Sequence, residues 1–136
     1  MADNDTTEAV RVSVPRTEEC SETSLKLALA AARTADNNRG QDIVVLDVRK
    51  LTSMFDYFVI ATGSSRRQIH AMSEEIDDVL QKDLGDERMG IEGYAESQWV
   101  LLDYGSVVIH LFEPDTREYF ALEELWADAP RVDWSA

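Results

Sequence analysis

The stretch QWVLLDYGSVVIHLF, residues 98–112, decides the fold, because two apolar segments flank a short turn sequence. The two-residue loop of an antiparallel hairpin favours a glycine, since glycine adopts a positive φ without steric strain. We therefore predict a β-hairpin with Tyr104 and Gly105 as its loop. In that register Trp99 lies opposite His110 on the neighbouring strand.

The predicted hairpin has two contrasting faces, because the side chains of a strand point alternately to the two sides of its sheet. The first face is wholly apolar and should meet the core helices; it carries Val100, Leu102, Val107 and Ile109. The second face mixes aromatic, aliphatic and polar side chains, namely Trp99, Leu101, Asp103, Ser106, Val108, His110 and Phe112. Such a mixture fits a layer covered by the chain's own last helix, and it also fits an exposed patch for a partner. The residue pattern leaves both alternatives open.

Apolar periodicities on both sides of the hairpin predict three helices and three further strands. The predicted order is a helix over 21–36, strands over 42–48 and 56–62, a helix opened by 63–65 and ended by 84–86, a short edge strand over 89–93, the hairpin, and a last helix from Asp115. The connector over 49–55 is too short for a helical crossover, so the two strands that it joins should be antiparallel neighbours. The apolar stripe of the last helix is predicted to consist of Tyr119, Leu122, Leu125 and Trp126. We expect an α+β (mixed α/β) domain in which helices flank a mixed β-sheet of about five strands.

The length of the chain, 136 residues, fits one domain, and its apolar content of 44% fits a folded core. We expect a flexible acidic arm over 1–20, a single domain over 21–130 and a tail over 131–136. Cys20 is the only cysteine, so no disulfide can form within the chain. The sequence has no apolar run long enough to cross a membrane, and its acidic N-terminus lacks the apolar core of a secretory signal. These features favour a cytoplasmic location.

The charge balance restricts the class of partner. The chain has 13 Lys and Arg residues against 27 Asp and Glu residues, which gives a net charge of −14. A protein that follows the phosphates of a nucleic acid needs a basic surface, and so does a protein that binds an anionic membrane. The acidic balance argues against both classes of target and favours a basic partner.

Sequence motifs for catalysis and metal binding are missing. There is no P-loop, Gly-x-Ser-x-Gly or Gly-x-Gly-x-x-Gly, and the only histidines, His70 and His110, are not spaced as metal ligands. The turn Gly63-Ser64-Ser65 is a candidate anion nest and is similar to the strand-to-helix turn of nucleotidyltransferases. Those enzymes hold metal ions with an Asp-x-Asp pair on the following strand, and no such pair follows this turn. We predict a protein that is not an enzyme and needs no cofactor or metal ion, with a residual nucleotidyltransferase using this turn as the alternative.

Seven segments of the sequence together resemble the ribosomal silencing factor family, also called Iojap. They are LDV at 46–48, DYFVIATGSS at 56–65, RQ at 67–68, EG at 92–93, WVLLDYG at 99–105, VIHLF at 108–112 and REYFALEELW at 117–126. The resemblance extends from about Leu25 to Val132, with the segments in the family's order. It implies a fold related to nucleotidyltransferases but without their catalytic carboxylates.

The resemblance also implies a function. Members of the family bind the large ribosomal subunit through its ribosomal protein fourteen, prevent the two subunits from joining, and repress translation when nutrients are scarce. Several members are homodimers when free, so the resemblance implies that this chain can pair with a second copy. A different hypothesis is an adaptor protein in which the arm over 1–20 matters.

The partner-binding patch of the family maps onto the second face of the hairpin and the segment that follows it. The resemblance implies Trp99, Asp103, Tyr104, Gly105 and His110 as patch residues, and Arg117 and Tyr119 are adjacent in the motif. The register of the hairpin adds Leu101 and Val108. Because the two arguments lead to the same face, we favour the exposed-patch alternative over coverage by the last helix.

Overall fold

A mixed five-stranded sheet forms the centre of the fold in the computed structural model, which describes residues 18–85 and 88–135. The elements are α1 (Glu18–Asn37), β1 (Gln41–Asp47), β2 (Tyr57–Thr62), α2 (Arg66–Lys82), β3 (Gly90–Glu92), β4 (Trp99–Asp103), β5 (Val107–Phe112), α3 (Pro114–Phe120) and α4 (Leu122–Leu125). The strand order is β1-β2-β5-β4-β3, with β2 and β5 parallel and all other neighbours antiparallel. This architecture confirms the predicted α+β class and the predicted antiparallel pairing of β1 with β2. The arm predicted over 1–20 lies, up to residue 17, outside the described residues.

The hairpin forms from β4 and β5, but its register differs from the predicted one by two residues. Trp99 lies opposite Phe112 rather than opposite His110. The loop consists of Gly105 and Ser106, and the positive φ of 88° falls on the first loop position, where one of the two favoured hairpin turns requires glycine. Because side chains alternate with a period of two, a shift of two residues leaves every side chain on its predicted face.

The first face of the sheet packs against α1 and α2 and holds the larger part of the core. The hairpin contributes the predicted apolar set, Val100, Leu102, Val107 and Ile109. The two helices contribute mainly small side chains from α1 and larger ones from α2, namely Leu27, Ala28, Ala31, Ala32, Ala35, Ile69, Met72, Ile76 and Leu80. The alanines let α1 approach the sheet closely, and the larger α2 residues fill the space that remains.

The last helix is interrupted, and the prediction of one continuous helix with an apolar stripe is wrong. Ala121 has a left-handed conformation with a φ of 47°, which separates α3 from α4 and changes the direction of the chain. Of the predicted stripe only Leu122 is buried, whereas Tyr119 is 82% exposed and Leu125 is 76% exposed. The helical periodicity that placed these residues on one side ends at the break.

The segment after α4 runs along the free edge of β1 as an added partner. The Val132 N–H donates to the carbonyl of Val45 at 2.8 Å, and the Trp134 indole N–H donates to the carbonyl of Ile43 at 3.1 Å. These bonds cover the backbone of an edge strand that would otherwise be free to pair with another chain. Within the described residues, no helix is long and apolar enough to cross a membrane.

Candidate partner-binding surface

A connected layer of aromatic rings crosses the second face of the sheet. Neighbouring ring centroids lie 5.6 Å apart for Phe55–Phe58, 5.3 Å for Phe58–His110, 6.0 Å for His110–Trp99, 4.9 Å for Trp99–Phe120 and 5.0 Å for Phe120–Tyr119. Trp126 packs edge-on against Phe58 at 5.0 Å. These tilted and edge-to-face contacts lie in the distance range that aromatic pairs favour. The layer therefore joins three strands to the segment formed by α3 and α4.

Part of this layer is open to solvent. Phe55, Trp99, Leu101 and Trp126 are half-buried around the buried residues of the second face. Phe120 is 47% exposed, and Tyr119 lies beside it on α3. We call these six side chains the docking face. An apolar surface of this kind, with several aromatic side chains at its centre, is typical of protein–protein contacts.

Carboxylates border the docking face. The segment over 113–128 contains six acidic residues and one basic residue, Arg117. Arg117 is 9% exposed and engaged by its neighbours, so it adds little positive charge at the surface. The acidic side chains Asp115, Glu118, Glu124 and Asp128 are exposed. On the side formed by α3 and α4, the border of the docking face thus presents negative charge to an approaching partner, whereas the connector that carries Phe55 adds the exposed Lys50.

His110 lies beneath the docking face, with 5% of its surface exposed. Its Nδ1 accepts a hydrogen bond from the Trp99 indole N–H at 3.1 Å. Its Nε2 is buried and has no hydrogen-bond partner in the described part of the chain. Burial lowers the pKa of His110 from 6.5 to about 4, so the ring is neutral at pH 7.

Arg117 fixes α3 and α4 to the end of β2. Its guanidinium makes two parallel hydrogen bonds to the Glu123 carboxylate, at 3.0 and 2.8 Å, and a third bond of 2.7 Å to the buried Thr62 hydroxyl. The bond from Arg117 lowers the pKa of Glu123 below its ordinary value. Paired, fork-shaped bonds of this kind are among the stronger interactions in proteins. The clamp holds the turn at Ala121 and thereby the position of Tyr119.

Four other residues that the sequence assigned to the patch lie in different surroundings, and one of them, Gly105, is in the hairpin loop. Val108 is buried in the second face, next to the docking face. Asp103 caps the hairpin, because its carboxylate accepts the N–H of Gly105 at 2.8 Å. Tyr104 belongs to the first face, where its hydroxyl donates to Asp77 of α2 at 2.8 Å. The structure therefore brings together Trp99, Leu101, Val108, His110 and Tyr119, and it places Tyr104 on the other side of the sheet.

Three members of the docking face were missed at the sequence level. Phe55 lies in the connector between β1 and β2, and Phe120 and Trp126 flank α4. Helical periodicity placed Trp126 in the core stripe and gave no role to Phe120. The composition of the segment over 117–126 could have indicated Phe120 and Trp126, because three of its ten residues are aromatic.

The turn considered for nucleotide binding is occupied by the chain itself. The Gln68 side-chain oxygen accepts hydrogen bonds from the Ser64 N–H at 2.6 Å and from the Ser64 hydroxyl at 2.7 Å. The Ser65 hydroxyl caps α2 by accepting the Gln68 N–H at 3.1 Å. A side-chain carbonyl thus already stands where an anion nest would hold a phosphate. Within the described residues, no group of three or more His, Cys, Asp or Glu side chains is arranged to hold a metal ion.

Comparisons with known proteins agree on one family. A family model described as "Ribosomal silencing factor during starvation" matches residues 21–136. The ribosomal silencing factor RsfS of Bacillus subtilis is 42% identical over 109 residues, which cover 80% of this chain and 89% of that protein. A Mus musculus protein named "Mitochondrial assembly of ribosomal large subunit protein 1" is 41% identical over 88 residues, which cover 63% of this chain and 39% of that protein. A crystal structure of a protein from Chromobacterium violaceum has 34% identity and a TM-score of 0.73, and the match covers 82% of this chain and 92% of that one.

Proposed function

Since the chain belongs to the ribosomal silencing factor family, we propose that it binds the large ribosomal subunit and keeps the small subunit from joining. The contact is made with ribosomal protein fourteen of the large subunit, and the outcome is repression of translation, above all when nutrients are limiting. The name of the mouse relative, which refers to the ribosomal large subunit, supports the choice of subunit. The site of action is the cytoplasm.

The observation that carries this proposal is the docking face. It combines half-buried aromatic anchors, which supply affinity when water is excluded, with a border of carboxylates that attracts a basic surface. Proteins on the surface of a ribosome are commonly basic, since they neutralise RNA phosphates. A net charge of −14 also disfavours direct contact with ribosomal RNA, so we propose a protein target and no sequence-specific binding of nucleic acid.

We assign the predicted patch residues to two groups. Trp99, Leu101 and Tyr119 are accessible, and they are the proposed contacts, together with Phe120. The second group supports the shape of the surface: Tyr104, Val108, His110 and Arg117 are buried, and Asp103 and Gly105 are half-buried and bonded to each other in the hairpin turn. A side chain under the surface cannot add contact area, and the Asp103 carboxylate is already engaged by the Gly105 N–H.

A steric mechanism needs no chemistry at the site. A folded domain of 136 residues has a radius of gyration of roughly 14 Å, so it is far thicker than the gap between two packed protein surfaces. Bound to the large subunit on the side that meets the small subunit, the domain occupies the space that the small subunit needs. No cofactor, metal ion or hydrolysis is required.

The proposal is tested by sedimentation of purified ribosomal subunits in sucrose gradients, with and without the protein. We expect the protein to migrate with large subunits and the fraction of joined ribosomes to fall. The variant Trp99→Ala should lose about 2 kcal/mol or more of binding free energy, which is roughly a thirtyfold loss of affinity.

The matched control is Trp134→Ala, which removes another half-buried tryptophan on the opposite side of the molecule. It should bind as the unmodified protein does. A folded Trp99→Ala variant that binds with unchanged affinity would exclude the docking face as the contact. Failure of the unmodified protein to migrate with large subunits would exclude the function itself.

A further inference from the structure

The Trp99 side chain is held on three sides. Its ring stacks on Phe112 with centroids 4.8 Å apart and meets Phe120 at 4.9 Å, and its indole N–H points at Nδ1 of His110 over 3.1 Å. The ring contacts restrict the plane of the indole. The hydrogen bond adds a directional restraint, because a flipped indole would point its only donor away from Nδ1 of His110.

The environment of His110 keeps the imidazole in the form that can accept this bond. When Nδ1 accepts, the proton of the neutral ring stands on Nε2. That nitrogen is buried without a partner among the described residues, and Phe58 packs edge-on against the ring at 5.3 Å. A protonated ring would have donors on both nitrogens, and Nδ1 could no longer accept from Trp99. The apolar surroundings oppose that state, since they offer the extra charge no solvation.

We propose that His110 is a positioning residue for partner binding, which holds the Trp99 indole in its docking orientation and makes no contact with the partner. The proposal rests on the proposed function, because it concerns the same surface. It follows from three observations that stand together: the direction of the hydrogen bond, the burial of the imidazole, and the accessibility of Trp99 above it.

Two substitutions separate the acceptor from the bulk of the ring. His110→Asn places a carbonyl oxygen near the position of Nδ1 and keeps an acceptor, whereas His110→Phe keeps a ring and has no acceptor. We expect His110→Phe to weaken binding to large subunits roughly tenfold and His110→Asn to restore affinity to within about threefold of the original. Ile109→Val is the control, because it perturbs the same strand on the opposite face and should leave binding unchanged.

An NMR measurement on the free protein tests the hydrogen bond without the ribosome. The Trp99 indole proton should exchange with solvent more slowly than that of Trp126, which donates no hydrogen bond within the described part of the chain. In His110→Phe the Trp99 signal should move upfield and exchange faster, and in His110→Asn it should stay protected. If the His110 variants do not fold, exchange of the Trp99 proton in the unmodified protein decides the question, and exchange as fast as that of Trp126 overturns the proposal.

A double-mutant cycle decides whether His110 acts through Trp99. In a Trp99→Phe background, which lacks the indole donor, His110→Phe should cause no further loss of affinity. Additive losses would mean that His110 contacts the partner itself, and they would overturn the proposal. The proposed function fails separately, when the unmodified protein does not bind large subunits although its Trp99 indole is protected.

Discussion

At the scale of single residues, Gly93 is the position where the backbone leaves least room. Its φ is 76°, and a Cβ built there would lie 2.1 Å from the carbonyl oxygen of Trp99. Backbone cannot yield as the end of a flexible side chain can, so the contact must be relieved by moving β4. The start of β4 carries Trp99, which links this glycine to the docking face.

We predict that Gly93→Ala lowers the free energy of unfolding by about 2 kcal/mol or more, because left-handed strain adds to the backbone collision. Urea denaturation measures the loss. Gly90→Ala is the matched control, since a Cβ there meets nothing within 4 Å, and its free energy of unfolding should change by less than about 0.5 kcal/mol. Equal stabilities of the two variants would contradict the collision.

His110 gives a second residue-scale prediction, in which stability depends on pH. Its pKa is about 4 in the folded chain and 6.5 in the unfolded chain, so between these values only the unfolded chain takes up a proton. The full contribution is present above pH 6.5 and is lost as the pH falls toward 4. We expect the free energy of unfolding to fall by about 2 kcal/mol from this group between pH 7 and pH 5.

The measurement compares urea denaturation of the unmodified protein and His110→Phe at both pH values. The variant should lack the His110 share of the decrease, while every other titratable group is present in both proteins. Glu123 does not interfere, because its lowered pKa places its own effect at pH values below about 4.5. Identical pH dependence in the two proteins would contradict the burial of a neutral imidazole.

At the scale of elements, α3 and α4 are held to the sheet at a few points only. Both helices are short, with seven and four residues, and such helices have little stability of their own. Leu122 packs among the buried residues of the second face, and the Arg117 clamp joins α3 and α4 to Thr62 at the end of β2. The orientation of Tyr119 and Phe120 therefore depends on a guanidinium that is itself almost hidden.

We predict that Arg117→Lys weakens binding to large subunits roughly tenfold although it preserves the charge, because an ammonium cannot make the paired bonds to Glu123. Microscale thermophoresis with large subunits measures the affinity, and urea denaturation measures the stability of the same variant. Arg131→Ala is the control: it removes an exposed positive charge from the groove that Arg117 and Glu123 also line, and it should have little effect on either quantity. An Arg117→Lys variant with full affinity would show that the clamp does not position the docking face.

The elements also show which parts of the fold were accessible from the sequence. Alternation in β4 and β5 predicted the faces of the hairpin correctly, even though the loop was placed one residue early. The faces survived because the register moved by two residues, which is the period of the pattern. The error arose because Gly105 can occupy either position of a two-residue loop, and composition alone does not say whether its loop partner is Tyr104 or Ser106.

The break at Ala121 was not accessible from the sequence. Alanine is a strong helix former, and nothing local predicts a left-handed φ at this residue. The conformation depends on long-range contacts, since Arg117 reaches Thr62 across 55 residues of sequence. The solvent exposure of Tyr119 could not be predicted for the same reason. Whether this side chain points inward or outward is decided by the turn rather than by the helical pattern.

At the scale of the whole molecule, charge and apolar surface are combined at the docking face. The net charge of −14 makes copies of the chain repel one another, while the exposed aromatic side chains favour contact with a second surface. A basic partner satisfies both tendencies. A second copy of the chain would cover the aromatic side chains but would also bring two acidic borders together. We propose that the free chain forms such a homodimer, and that this homodimer competes with the ribosome for the docking face.

The two occupants of the docking face should respond to salt in opposite directions. Raising the ionic strength from about 0.05 M to about 0.5 M shortens the screening length severalfold, which weakens attraction to a basic surface and relieves repulsion between two acidic ones. We predict that affinity for large subunits falls roughly tenfold over this range, mainly through slower association, while the fraction of homodimer rises. Binding assays with large subunits and analytical ultracentrifugation of the free protein measure the two trends.

Trp99→Ala should weaken both assemblies, because both cover the same side chain, whereas Trp134→Ala should weaken neither. Affinity for large subunits that is independent of salt would contradict a basic target, and a dimer unaffected by Trp99→Ala would place the homodimer contact elsewhere.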